Sequence, residues 1–254
     1  MDQHVRLEEI VAHLDEYLEV RSVPDAPHAL NGLQVANGGT VSRVAAAVDV
    51  CLATLQLAID AGADLLLVHH GLFWGGLRPI TGPMHERVAL LTSHQLALYS
   101  AHLPLDRHPE VGNNPLLARA LGIEVCGAFG ETYGAPIGVW GELDASRDTL
   151  AAQLTTTLGV TPRVLPFGPS TVRRVGIVTG AGAALIPQAA AAGLDTLITG
   201  EGPHHSFFDA EELGVNVYFA GHYATETFGV RALAEHLSRV FGLPWTFLDH
   251  PTGL

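Results

Sequence analysis

Between Arg6 and Val20 the apolar side chains fall at Leu7, Ile10, Val11, Leu14, Tyr17 and Leu18, the three-and-four spacing of one helical face, opposite a face rich in Glu and Asp. Pro24, Pro27 and Asn31-Gly32 then mark a loop, and Asn37-Gly38-Gly39 a turn before a strand over Val44 to Val48. A helix is predicted from about Cys51 to Ala61, stopped by Gly62, and a strand over Leu65 to Val68 whose unbroken apolar run suits a parallel sheet covered on both faces. A helix over Met84 to His94 and a strand over Leu96 to Ala101 follow. Asn113 or Asn114 is placed to cap the next helix, with Pro115 in its first turn and Gly122 at its end. Further on, strands are predicted over 137–143, 162–166, 174–179, 196–199 and 215–219, with helices over 148–158, the alanine run to Ala192, 203–213 and 223–241. Strands alternating with helices make this an α/β chain.

One stretch of that pattern occurs twice. Arg43-Val44-Ala45-Ala46-Ala47-Val48-Asp49 returns as Arg174-Val175-Gly176-Ile177-Val178-Thr179-Gly180, and Ala61-Gly62-Ala63-Asp64-Leu65-Leu66-Leu67 as Ala192-Gly193-Leu194-Asp195-Thr196-Leu197-Ile198, both at an offset of 131. Two similar, interlinked α/β lobes from an internal duplication are therefore expected. The first would be residues 1–126, completed by the C-terminal helix and strand within 222–254, and the second 127–221.

Composition narrows the chemistry. The 254 residues carry a net charge of −13, which argues against a nucleic-acid backbone footprint. All thirteen basic residues are arginine, so lysine Schiff bases, pyridoxal attachment and a Walker lysine are excluded. Cys51 and Cys126 are too few for a disulfide framework or a cysteine zinc site. No apolar run approaches the roughly 18 residues of a membrane span, and the N-terminus opens into an acidic amphipathic helix and not a basic, apolar leader, so a soluble cytoplasmic protein is expected.

Fourteen histidines remain as the main chemical resource. His69-His70 ends the strand Leu65 to Val68, and if the chain leaves the sheet there both imidazoles can turn to neighbouring sites. The next strand leads to His102 with Asp106 four residues on, and its counterpart to His222 with Glu226 four residues on, on one helical face. Two half-sites of imidazole and carboxylate, one on each copy, can face one another across a cleft. His69, His70, Asp106, His222 and Glu226 form a mixed donor set suited to zinc, manganese, iron or cobalt. His204-His205 falls inside a predicted helix, where neighbouring side chains diverge, and is read as structural.

The segments Asn31-Gly32-Leu33-Gln34-Val35, Leu67-Val68-His69-His70-Gly71, Tyr99-Ser100-Ala101-His102-Leu103-Pro104-Leu105-Asp106, Thr199-Gly200-Glu201 and Gly221-His222-Tyr223-Ala224-Thr225-Glu226 resemble the Nif-three-like dinuclear metal centre family, also called GTP cyclohydrolase 1 type 2 homologues. The resemblance runs in order over nearly the whole chain and lacks only the inserted domain of longer members. It implies two divalent ions: His70, Asp106 and Glu226 on one, His69, His222 and Glu226 on the other, with His102 close by as an outer ligand or proton carrier. It also implies two interlinked lobes with the metal pair in the cleft, and a ring-shaped hexamer. Gly202-Pro203-His204-His205 departs from the family pattern and carries no implied role.

Hydrolysis is the chemistry such an ion pair serves. If the cyclohydrolase label holds, the substrate is a guanine nucleotide whose imidazole ring is opened, with His102 or Glu201 moving protons, Phe73 or Trp74 stacking the base and Arg78 or Arg107 meeting phosphate. Two other classes stay open from the sequence: a metal-buffering or metal-delivery protein, and a regulatory module that binds a protein partner.

Overall fold

The computed structural model describes residues 4–254, and the chain divides into two compact units, Met1–Leu105 with Gly229–His250, and Asp106–Phe228 with Pro251–Leu254. The sequence pattern places the boundaries after residues 126 and 221 instead. The chain returns to the first unit because strand Trp245–Phe247 pairs in parallel with Val44–Asp49, Trp245 opposite Val44.

In the first unit a five-stranded sheet runs in the order 245–247, 44–49, 65–70, 97–100, 32–35, parallel except for the last strand. Strands 44–49 and 65–70 are buried at almost every position, as the inner strands of a covered parallel sheet must be. Helix Leu52–Asp60 connects these two and helix Pro83–Ser93 connects 65–70 to 97–100, and Leu55, Ala58 and Leu91 pack with Leu66, Val68, Leu96 and Leu98 in one core. Helix Leu7–Tyr17 buries Leu7, Ile10 and Leu14, the face predicted from their spacing. A short antiparallel pair, Val5–Arg6 with Thr40–Val41, precedes it in the fold and carries no sequence signal long enough to read.

The second unit holds a six-stranded sheet ordered 124–132, 135–146, 171–178, 196–199, 216–219, 163–166. Its three inner strands from 171 to 219 are parallel and the flanking pairings antiparallel. Of the long hairpin Glu124–Thr132 with Ala135–Ser146 the sequence pattern shows only the second strand, because Glu124-Val125-Cys126-Gly127 has no clean alternation and three of those residues are exposed. Leu150 and Leu154 of helix Arg147–Leu158 and Leu117 of helix Asn113–Ala120 pack with Val172, Val175, Ile177 and Tyr218 in the unit's core. Among the described residues no helix is long and apolar enough to cross a membrane.

The repeat is visible in strand register. Val44 faces Leu65 in the first unit and Val175 faces Thr196 in the second, the same pairing 131 positions on. Asp64 Oδ2 accepts the backbone N–H groups of Ser42 and Arg43, and Asp195 Oδ2 those of Arg173 and Arg174. The third strand keeps the pairing at a shorter offset: Ala101 N–H donates to the Val68 carbonyl, and Ala220 N–H to that of Thr199. Ala220 therefore corresponds to Ala101, which puts His222 one place beyond the equivalent of His102.

Candidate metal centre

The strand carrying the adjacent histidines does not end before them. It runs Leu65–His70, with His70 in register opposite Asp49, so the reading that the chain leaves the sheet at this point is corrected. Ladder bonds hold the backbone here, including Val50 N–H to the His70 carbonyl. The rings still approach, with centroids 4.7 Å apart, and that of His102 lies 4.9 Å from His69 and 5.7 Å from His70. One nitrogen from each of His69, His70 and His102 falls within 4.8 Å of the others, a grouping that could hold a metal ion.

Each imidazole in this trio is fixed by an oxygen at Nδ1. His69 Nδ1 is 2.8 Å from the Ala101 carbonyl, which can only accept, so the hydrogen sits on Nδ1 and the Nε2 lone pair is the donor to any ion. His70 Nδ1 donates to Asp49 Oδ1 at 2.9 Å, the residue its strand register sets beside it. His102 Nδ1 donates to Asp25 at 2.9 Å. Asp25 in turn accepts from the Asn31 side chain and the backbone N–H of Leu103. Burial alone would raise the Asp25 pKa, but the bond to His102 and its other donors outweigh it and hold the carboxyl below its ordinary value.

The second unit assembles the other predicted groups. Asp106 is buried at the end of a short helix, Leu103–Asp106, and its Oδ1 accepts from Asn113 Nδ2 at 2.8 Å and from Thr179 Oγ1 at 3.3 Å. Asn113 and Asn114 thus do not cap the following helix. Its N-cap is Gly112, and Asn114 bonds the Asp106 and Ile137 carbonyls while its own oxygen takes the Thr179 N–H. Two asparagine amides anchored to the Asp106 loop win over capping because they satisfy several buried backbone groups at once.

His222 and Glu226 lie one helical turn apart, with Nε2 and Oε2 at 3.2 Å, and His222 Nδ1 donates to Glu201 Oε1 at 2.7 Å. Burial would lower the His222 pKa, yet the Glu226 and Glu201 carboxylates overcome it and raise it to about 9. Gly180 backs onto this pair. Its φ is +64°, and a Cβ there would overlap Glu226 Oε1 and reach within 3.2 Å of His222 Nε2. At the repeat offset Gly180 stands where Asp49 stands in the first unit, and Glu201 where His70 stands. One framework position carries His70 in one copy and, in the other, the acid that holds His222.

Of the remaining sequence candidates, Trp74 packs with centroids 4.4 Å from His102 and 4.9 Å from His70, whereas Phe73 is partly buried against the core. Arg78 donates to the Gly75 carbonyl, and Arg107 lies in the second unit beside a separate pocket that includes Arg119. His204 and His205 sit in the turn before helix Ser206–Leu213, not inside it, and are exposed. Asp25 and Asp49 are supports that the sequence pattern does not single out. Asp49 is findable as the acid one step past an apolar strand in register with His70, while a lone acid between Pro24 and Pro27 gives no pattern at all.

The chain is similar to known proteins over nearly its whole length. A protein of Deinococcus radiodurans called GTP cyclohydrolase 1 type 2 homolog is 50% identical over 249 residues, covering 97% of this chain and 94% of that protein. The Escherichia coli K12 protein of the same name is 40% identical over 253 residues, covering 98% of each. The crystal structure of TTHA1606 from Thermus thermophilus superposes with a TM-score of 0.92 at 43% identity, covering 98% of this chain and all of the other. The family described as Duf34/NIF3 (NGG1p interacting factor 3) matches residues 5–252, and with that match over nearly its whole length the chain belongs to the DUF34/NIF3 family.

Proposed function

We propose that His69, His70, Asp106, His222 and Glu226 are the ligands of two divalent ions, zinc, manganese, iron or cobalt, and that the protein is a metal-dependent hydrolase of a small molecule. The observation that carries this is shared by all four imidazoles: His69, His70, His102 and His222 each have Nδ1 committed to a carbonyl or carboxylate oxygen. That outer partner is the usual accompaniment of a metal-ligating histidine, since it fixes the tautomer and turns Nε2 toward the ion. Histidine nitrogens with buried carboxylates also match the chemistry of such ions.

Bound divalent ions supply the Lewis acidity that hydrolysis requires. The chain's own residues do the rest. Asp49, Asp25 and Glu201 orient His70, His102 and His222 through their Nδ1 hydrogens. Glu201 thereby acts through His222 as a positioning residue. His102, held at Nδ1 and close to His69, presents Nε2 to accept or return a proton at the reacting group. The name shared by the relatives makes a guanine nucleotide the first substrate to test.

The test is metal analysis of the purified protein, followed by assay of formate release from GTP and a panel of small hydrolase substrates, with Glu226→Gln alongside. Stoichiometric metal and turnover, both lost in the variant, support the proposal. Metal without turnover on any substrate points to a metal-holding protein, and absence of metal overturns it.

A further inference from the structure

A pocket of about 640 Å³ opens in the first unit beside His70, with Leu72, Trp74 and Met84 as apolar lining and Arg78 and Arg87 as its positive charge. Among the described residues neither Arg78 nor Arg87 forms an ion pair; Arg78 donates Nε to the Gly75 carbonyl at 3.2 Å, and the buried Nε of Arg87 has no hydrogen-bond partner. Asp49 also lines the pocket, but its Oδ1 is engaged by His70. A buried guanidinium donor left unsatisfied is costly unless something supplies the acceptor.

We infer that this pocket binds the phosphate of a phosphate monoester whose flat organic body lies along Trp74, with Arg78 and Arg87 as the anion-binding residues. Arginine forks pair with phosphate oxygens through two parallel hydrogen bonds, and two of them offset a dianion. Trp74 links pocket and histidines: its indole lies 4.9 Å from the His70 ring and 4.4 Å from that of His102, so a ligand anchored on the arginines extends along the indole toward them. The inference rests on the proposed hydrolytic site and names the class of molecule it takes: a phosphorylated compound with an aromatic or heteroaromatic ring.

Calorimetric titration of the full-length protein as purified tests this, with phenyl phosphate as the probe and phenol and inorganic phosphate as controls. Metal content is measured on the same samples. Phenyl phosphate is expected to bind at least about tenfold more tightly than either control, with an affinity that falls as salt rises. Arg87→Gln and Arg78→Gln should each weaken it by about tenfold or more while leaving metal content and the thermal midpoint unchanged. The exposed Arg78 keeps the test valid if Arg87→Gln folds poorly. Phenyl phosphate binding no tighter than phenol, or undiminished in both variants, overturns the inference. A protein that holds no metal but still binds phenyl phosphate through these arginines would defeat the hydrolase reading and leave the anion site standing. Metal and turnover with arginine-independent binding would do the reverse.

Discussion

Asp25 holds His102 by the ring: Oδ1 of the carboxylate lies 2.9 Å from Nδ1, and Oδ2 takes the N–H of Leu103, the next residue along. The carboxylate is nearly inaccessible, with 6% of its side chain exposed, and Asn31 bridges the two residues by donating to Asp25 and accepting the His102 N–H. Both the ring and its backbone are thus set by one loop acid. Removing it in Asp25→Ala frees the imidazole to rotate and strands the Asn31 amide and the backbone N–H groups of Ala26 and Leu103.

The expected outcome for Asp25→Ala is a turnover lower by about 10- to 100-fold, the usual cost of losing the partner that orients a site histidine, with metal content retained and a stability loss of about 1–3 kcal/mol. Initial rates on a substrate that the unaltered protein turns over measure the first, metal analysis the second and denaturant unfolding the third. A rate equal to that of the unaltered protein would show that His102 moves no proton in the reaction.

Gly180 makes a different demand on the other unit. Its left-handed backbone and the crowding of Glu226 Oε1 mean that Gly180→Ala must strain the turn or push the Glu226 carboxylate aside. We expect a destabilisation of about 1–3 kcal/mol and a clear drop in bound metal. Metal analysis after dialysis decides it: full occupancy in a folded Gly180→Ala protein would mean that Glu226 does not need its present position.

How far the sequence can be read follows from what each feature rests on. The strands 44–49 and 65–70 are legible because burial on both faces leaves an apolar run, and their counterparts because the repeat preserves register. His69 and His70 are conspicuous as polar groups closing an apolar strand, and Asp106 and Glu226 as acids four residues past His102 and His222. What is not legible is the support around them. Asp25 reaches His102 across 77 positions and Thr179 reaches Asp106 across 73, and a hydrogen bond between residues so distant in sequence leaves no periodic trace. The Asn113-Asn114 pair shows the same limit from the other side, since its local pattern favours a helix cap and its tertiary partners override it.

The repeat itself makes a stability prediction. Asp64 and Asp195 each bracket the start of a strand with two backbone N–H bonds, and each adds a hydroxyl, from Ser42 in one case and Thr196 in the other. Asp64→Ala and Asp195→Ala should therefore destabilise their units by similar amounts, about 1.5–3 kcal/mol each, as expected for charge-assisted bonds to backbone amides. Chemical denaturation of both single variants measures this. A loss confined to one of them would show that the shared geometry does not carry shared energetics.

Buried phenols set the alkaline limit of the fold. Tyr218 is fully buried and donates to the Arg147 carbonyl at 3.0 Å. Burial pushes its pKa up to about 12, against the ordinary 10, with Arg147 opposing and Asp148 and Asp195 assisting. Tyr99, bonded to Asp15 Oδ1 at 2.9 Å, is raised as well, by burial and by that carboxylate. For an acid whose folded pKa lies above its unfolded value, the unfolded chain releases the proton first. The contribution to stability is therefore intact below pH 10 and is lost as pH rises through 10 toward 12. In Tyr218→Phe the hydroxyl is absent, so stability at about pH 8 should fall by about 1 kcal/mol for the lost hydrogen bond, while the further decline between pH 10 and 12 becomes shallower. Denaturant midpoints at one-unit steps from about pH 8 to 12 test both halves, and an alkaline slope identical to that of the unaltered protein would remove Tyr218 as a cause.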